Sequence, residues 1–390
     1  MADVVPQIDG VLTRRDDRYE ALIPTERAEN HASFLHRLPD GSLAAVWFAG
    51  EREGLPDVRI QMSRLDESAG RWSPAIAVSP RSEQSHQNPV LATLPDGAVW
   101  LLYTAQELGA QDTAVLMRRV SRDGGATWGD PEPLIEDRGV FIRQDLVVLP
   151  DGTLLLPIFR CHPLPGRQWF GDGDESSVLR SEDGGATWTE VPVPDSVGAV
   201  HMDIVPFEDG GLVAFFRSRW ADAVYRSESP DSGRTWTRPE VTEVPNNNSS
   251  IQMRRAPHLG ADSVLAVLNP VAAAPGRERI EAGRAHDAGK VTAPGTPQPL
   301  DRYAVWGVER TPVSLLRSDD RGRTWTKVVD IDTAADIPPA MLERAGDRAG
   351  ELSYPALVVT ADGDVHVSYS YCRAAIKHVL LPREVVGAQR

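Results

Sequence analysis

The chain has 390 residues, with 41 Lys and Arg against 56 Asp and Glu and a formal net charge of −15, a balance that argues against nucleic acid and anionic membranes as partners. No apolar run approaches the roughly 20 residues of a membrane span. Two cysteines, Cys161 and Cys372, are too few for a disulfide framework and match no metal-ligand spacing.

In chain order, short apolar runs are joined by the turns Pro39–Gly41, Pro95–Gly97, Pro150–Gly152, Glu208–Gly210 and Ala361–Gly363, each ending in Asp-Gly. Asp-Gly between apolar segments is the strongest short hairpin signal. The spacings from Gly41 to Gly97, Gly152 and Gly210 are 56, 55 and 58 residues, and the 153 residues from Gly210 to Gly363 leave room for one more unit. Leu259–Leu268 fills that slot, with Asp262 in place of the glycine.

Interleaved with the hairpins are four octapeptides of the form S-x-D-x-G-x-T-W: Ser121–Trp128, Ser181–Trp188, Ser229–Trp236 and Ser318–Trp325. A degenerate fifth copy lies at Asp66–Trp72. Ser and Asp side chains close such a turn on the backbone, and the glycine supplies positive φ. A residue repeated on every unit cannot be a single active site, so these aspartates read as structural.

Six hairpins at a fixed period predict an all-β fold, a six-bladed β-propeller forming one domain over residues 1–390. Gln7–Glu20 is expected to supply a strand that closes the ring near Val365–Arg373. Residues 272–300, rich in Ala, Gly and Pro, read as a surface insertion in the fifth blade, either mobile or a lid over the site. Met1–Arg14 lacks the charged-then-apolar pattern of a signal peptide, so a soluble, cytoplasmic protein is expected.

The octapeptide is the Asp box, or BNR repeat, and the chain resembles the sialidase superfamily of six-bladed propellers over nearly its whole length. The resemblance implies a site at one end of the channel, with arginines on a substrate carboxylate, a Tyr nucleophile paired with a Glu, and an Asp as acid/base. Tyr354, in Glu351–Val358, matches the nucleophile position. Arg217, in Phe215–Arg219, and Arg310, in Glu309–Ser318, match two carboxylate-binding arginines. Arg52 and Asp57, in Ala49–Ile60, resemble the segment supplying another ligand-binding Arg and the acid/base.

The hairpin glycines also serve as a ruler along the channel-lining strands. Nine residues back from each lie Ala32, Asn88, Arg143, His201 and Tyr354, and nine back from Asp262 lies Met253. One residue further back are His31, Gln87 and Gln252, with His86 adjacent. Ionisable groups converging at one end of a channel make a site hypothesis. His31 stands where the family's first-blade Arg would sit, and His201 where its Glu would.

Those departures argue against ordinary sialic-acid hydrolysis. His, Tyr and several Arg suit β-elimination beside a uronic acid, as in propeller lyases that cleave rhamnose from glucuronate, which the segments His31–Gly50, Gln87–Gln106 and Phe215–Ile251 resemble. On that reading His201 and Tyr354 are base and acid. Arg217 and Arg310 bind the carboxylate, Arg143 is either a further carboxylate ligand or a channel ion pair, His31 is a further catalytic candidate, and Arg52, His86 and Asn88 are substrate-binding candidates. The alternatives are a sialidase-like hydrolase using Tyr354 and Asp57, and a non-catalytic propeller that binds acidic glycans. The expected partner is an acidic oligosaccharide, with no cofactor and no metal. Asp172 and Asp174 form an acidic loop too short in spacing for calcium. Composition leaves the oligomeric state open.

Overall fold

The computed structural model describes residues 7–163, 169–274 and 302–387. Six antiparallel sheets of four or five strands follow one another along the chain. Successive sheets pack together, and the innermost strand of the sixth, Leu352–Val359, returns to pack on that of the first, Glu29–Arg37. This is the predicted six-bladed propeller.

Each hairpin glycine is left-handed, with φ of 83° at Gly41, 82° at Gly97, 86° at Gly152, 84° at Gly210 and 91° at Gly363. The preceding aspartates lock the turn. Oδ1 of Asp40, Asp96, Asp151 and Asp209 each accepts the amide two residues on, at 2.9–3.0 Å.

The octapeptides follow the third strands of blades two to five. In Ser121–Trp128 the Gly125 amide donates to Ser121 Oγ (2.7 Å), and the Thr127 amide donates to Asp123 Oδ1 (2.8 Å). The same pattern recurs at Asp183, Asp231 and Asp320, so all four aspartates are engaged within their turns. The boxes also join blades. A Cβ on Gly185 would lie 2.4 Å from Trp100 of the preceding blade, and one on Gly322 would lie 2.3 Å from Phe215. Third-strand arginines add a clasp: Arg226 Nε donates to Arg321 O of the next box (3.0 Å), and Arg64 donates to Gly124 O.

The ring closes differently from expectation. The N-terminal strand is Arg18–Ile23, flanked by Thr13–Arg15, and it pairs with Ala375–Leu381 rather than with Val365–Tyr371. The C-terminal segment folds back once more than its apolar pattern suggested, so the N-terminal strand becomes the fourth of the blade. Buried Lys377 ties it down, with Nζ 3.0 Å from Glu20 and 2.7 Å from Asp332. Of the expected insertion at 272–300, residues 275–300 lie outside the described residues. Its flanks join Val264–Leu268 to Val313–Ser318, the second and third strands of blade five.

Candidate functional site

Counting back from the hairpin glycines landed on a conformational feature. In blades one, two, four and six the ninth residue back is left-handed: Ala32 at 55°, Asn88 at 47°, His201 at 53° and Tyr354 at 54°. The strand register slips at these points, between His31 and Phe34, Gln87 and Val90, Val200 and Asp203, and Ser353 and Ala356. A bulge re-aims a side chain out of the alternating pattern. Holding a bulky residue there costs about 1–3 kcal/mol and persists only where the surroundings enforce it.

The count fails in blade five, where Arg255 pairs with Val264 across a hairpin longer than the Pro206–Leu212 turn of blade four. Counting from the paired strand ends puts Ser250, not Met253, at the His201 position. Met253 is core. In blade three the inner strand is broken into Val140–Phe141 and Val147–Val148, with Arg143 in the gap.

Tyr354 is the centre of the site. Its hydroxyl accepts from Arg217 Nη1 at 2.7 Å, and the same Nη1 lies 3.4 Å from His201 Nε2. Arg217 is aligned by Asn248, whose Oδ1 accepts from Nε at 2.8 Å. An arginine N–H facing His201 Nε2 requires the lone pair there, which places the ring proton on Nδ1, 3.3 Å from Ser250 Oγ. The His31 ring centroid lies 4.3 Å from that of Tyr354, and its Nδ1 is 2.8 Å from Ser370 Oγ. The guanidinium groups of Arg143 and Arg310 each lie 5.5 Å from the Tyr354 ring.

The electrostatics favour a neutral imidazole beside an acidic phenol. Burial, reinforced by Arg217, Arg219 and Arg143, pushes His201 well below its ordinary value. Burial, then Arg373, does the same to His31. Burial alone would raise the Tyr354 phenol, but Arg217 and Arg310 outweigh it and the net direction is down from 10. Burial lowers Arg217 to about 9, which leaves it charged at neutral pH. Arg217 Nη2 and Arg143 Nη1 are buried without a hydrogen-bond partner, an arrangement that suits an incoming anion.

The remaining candidates divide. Arg310 Nη1 is 2.7 Å from Glu351 Oε1, which also accepts from Arg373 Nε at 3.0 Å and Ser353 Oγ at 2.7 Å. Burial would raise Glu351, but Arg373 and Arg310 hold it well below the carboxylate range. Glu53, from the loop that carries Arg52 and Asp57, pairs with Arg373. Arg52 is exposed, and Asp57 Oδ2 accepts the Glu51 amide at 2.7 Å at the base of that loop. His86 has both nitrogens on serines, Nδ1 2.9 Å from Ser79 Oγ and Nε2 3.0 Å from Ser82 Oγ, and packs on Tyr103. Asn88 is buried on its bulge. Arg143 commits Nη2 to the carbonyls of Ser33 (2.9 Å), Tyr354 (3.2 Å) and Pro355 (3.4 Å).

Sequence reading missed Glu351, Glu53, Arg373 and Ser250. Glu351 opens the segment Glu351–Val358 and Ser250 falls in Phe215–Ile251, so both were signposted by position. Also missed was the cluster built on Arg219 and Asp174, a fully buried ion pair at 2.6 Å. Arg219 lies 4.9 Å from the Trp306 ring and 5.6 Å from that of Trp169, whose Nε1 donates to Asp174. Asp172 accepts the Ala304 amide, so both carboxylates of the acidic loop serve the fold.

Among known proteins, residues 41–367 match the family model described as the BNR repeat-like domain. A xyloglucanase of a Paenibacillus species is 26% identical over 205 residues, which is 51% of this chain and 16% of that protein. The chain thus spans under a fifth of that curated relative. The fold matches the Hadza microbial sialidase Hz136 with a TM-score of 0.67 at 17% identity, over 91% of this chain and 66% of that one. It matches the NanB sialidase of Streptococcus pneumoniae with a TM-score of 0.66 at 11% identity, over 97% and 71%. No helix among the described residues is long and apolar enough to cross a membrane. The chain belongs to the BNR repeat-like domain family, and its six-bladed propeller has the fold of those sialidase structures.

Proposed function

We propose that the protein is a carbohydrate-active enzyme that cleaves a glycosidic bond at a carboxylated sugar, by β-elimination at a uronic acid such as a rhamnosyl-glucuronate. The observation that carries this reading is the single guanidinium of Arg217 between Tyr354 Oη and His201 Nε2. The unpartnered Nη2 of Arg217 supports a role in neutralising the sugar carboxylate, which makes the adjacent C–H acidic. Neutral His201 takes that proton at Nε2, the C–O bond to the leaving sugar breaks as the C=C bond forms, and the Tyr354 hydroxyl protonates the departing oxygen. Arg310, tied to Glu351, lends positive charge beside the phenol. His31 walls the other side of the Tyr354 ring.

A second reading is hydrolysis with Tyr354 as nucleophile. The downward shift of its phenol favours this as well. It then needs a separate acid, and Asp57 is the residue expected from the sequence. A propeller that only binds acidic glycans is the third. The test is turnover of a panel of rhamnosyl-glucuronate and sialylated oligosaccharides by the wild type and by His201→Ala. Elimination predicts turnover of a uronate substrate that is abolished in the variant. Full activity in His201→Ala removes the lyase assignment, and binding without turnover favours the third reading.

A further inference from the structure

The sequence offered Arg143 as a carboxylate ligand or a channel ion pair, but most of its hydrogen-bonding capacity goes to backbone and hydroxyl groups of other blades. It sits in the break of the blade-three inner strand, from which Arg143, Gln144 and Asp145 all reach across the channel. Arg143 contacts blade five at Ser250 Oγ (3.1 Å), blade one at Ser33 O, and blade six at the carbonyls of Tyr354 and Pro355. Gln144 donates to Ile251 O and accepts from Gln252 Nε2 at 3.2 Å. Gln252 in turn accepts the Leu357 amide of blade six. Asp145 Oδ2 lies 2.7 Å from Arg254 Nη2, and Arg254 Nη1 lies 3.4 Å from Asp203 Oδ2, which accepts the Met253 amide at 2.6 Å.

We infer that Arg143 is the positioning residue of the site, crossing the channel to clamp the left-handed backbone at Tyr354, with Asp145, Arg254 and Asp203 as its anchor. Asp145 and Asp203 share Arg254, and Arg143 adds a second cation to that group. Both carboxylates are lifted by burial, Asp203 to about 7, and Arg143 acts to lower each of them. Only Nη1 of Arg143 lacks a protein partner, so the side chain is built first as a cross-channel tie. Releasing it lets Tyr354 leave its bulge and withdraws the phenol from Arg217, so burial then acts on the phenol with less opposition.

The inference rests on Tyr354 being the reacting group of the proposed function, but its first readout needs no substrate. Phenolate absorbance is titrated for the full chain, Tyr354→Phe, Arg143→Met and Arg143→Lys. Burial pushes Tyr103, Tyr225, Tyr369 and Tyr371 upward, so the downward-shifted Tyr354 titrates apart from them and is identified by its loss in Tyr354→Phe. Arg143→Met is expected to move that component up by about one pH unit, a tenfold change in its ionisation constant. Arg143→Lys, which keeps the charge but loses the second arm, moves it up by less.

On an oligosaccharide that the wild type cleaves, kcat of Arg143→Met falls on the order of 10²-fold while KM stays near that of the wild type. An unmoved Tyr354 titration in either variant overturns the inference. So does a large rise in KM with kcat intact, which would make Arg143 a substrate ligand. If Arg143→Met does not fold, the lysine variant alone decides. If no substrate is cleaved by any form, the proposed function fails while the titration still tests the clamp.

Discussion

Nη1 of Arg217 lies 2.7 Å from the Tyr354 hydroxyl and 3.4 Å from His201 Nε2, so one cation touches both candidate proton-transfer groups. It holds the phenol down and the imidazole neutral at once, since positive charge favours phenolate and opposes imidazolium. Arg217→Gln is therefore expected to raise the Tyr354 phenol and to lower kcat by roughly 10²–10³-fold, the scale of losing a preorganised charge donor. Steady-state kinetics with a phenolate titration checks this. Unchanged kcat would detach Arg217 from the chemistry.

His201→Ala removes the base while leaving Arg217 and Tyr354 in place. The expected loss is about 10²–10⁴-fold in kcat, the range for a positioned general base, with a smaller change in KM. Because the imidazole is already neutral, the wild-type activity should show no loss from protonating His201 as pH falls from 8 to 6.5. A kcat profile that drops steeply across that interval would mean that a different group is the base.

The Asp boxes predict a contrast within one turn. Gly184 and Gly185 are both left-handed, at 71° and 87°, but a Cβ on Gly184 meets nothing within 4 Å while one on Gly185 lies 2.4 Å from Trp100. Gly184→Ala should cost about 1–2 kcal/mol from backbone conformation alone. Gly185→Ala adds roughly 1–3 kcal/mol of overpacking between blades two and three. Denaturant unfolding of the two variants measures the difference, and equal stabilities would contradict the inter-blade role.

Buried histidines predict acid lability. Burial, then Arg254, lowers His36 to about 4; burial, then Arg59, lowers His86 to about 4; and burial, then Arg37, lowers His366 to about 3. Each binds its proton more weakly folded than unfolded, where the value is about 6.5, so stability falls as pH drops below 6.5 and goes on falling toward the folded values. Each of these groups contributes on the order of 3–5 kcal/mol when the loss is complete. The midpoint of urea unfolding should be level above pH 7 and decline between 6.5 and 4.5, above the titration of most carboxylates. A flat midpoint over that window would contradict neutral burial, and His36→Gln should lessen the slope.

The blade count and the position of the inner-strand bulges were legible because turn chemistry is local. Asp40-Gly41 and its repeats declare left-handed turns, and a fixed count back from them reaches the bulges at His201 and Tyr354. The count slipped at Met253 because Asp262 sits in a longer hairpin with no glycine at the expected place. It could not show that the inner strand of blade three is broken at Arg143, since Val140–Val148 is as apolar as its counterparts. Arg310 and Glu351 lie 41 residues apart and Asp174 and Arg219 lie 45 apart, so their pairing depends on which loops the ring brings together. The fourth strand of blade six was misjudged for the same reason: Arg18–Ile23 matches any open edge until Ala375–Leu381 is in place.

The most direct measurement is mass spectrometry of the products formed in ¹⁸O-labelled water from rhamnosyl-glucuronate and sialylated oligosaccharides. Elimination through His201 and Tyr354 predicts an unsaturated uronate fragment, lighter by one water than the hydrolysis product, with no label in either fragment. Label in the released sugar, with both fragments saturated, would contradict elimination and assign Tyr354 the part of a nucleophile.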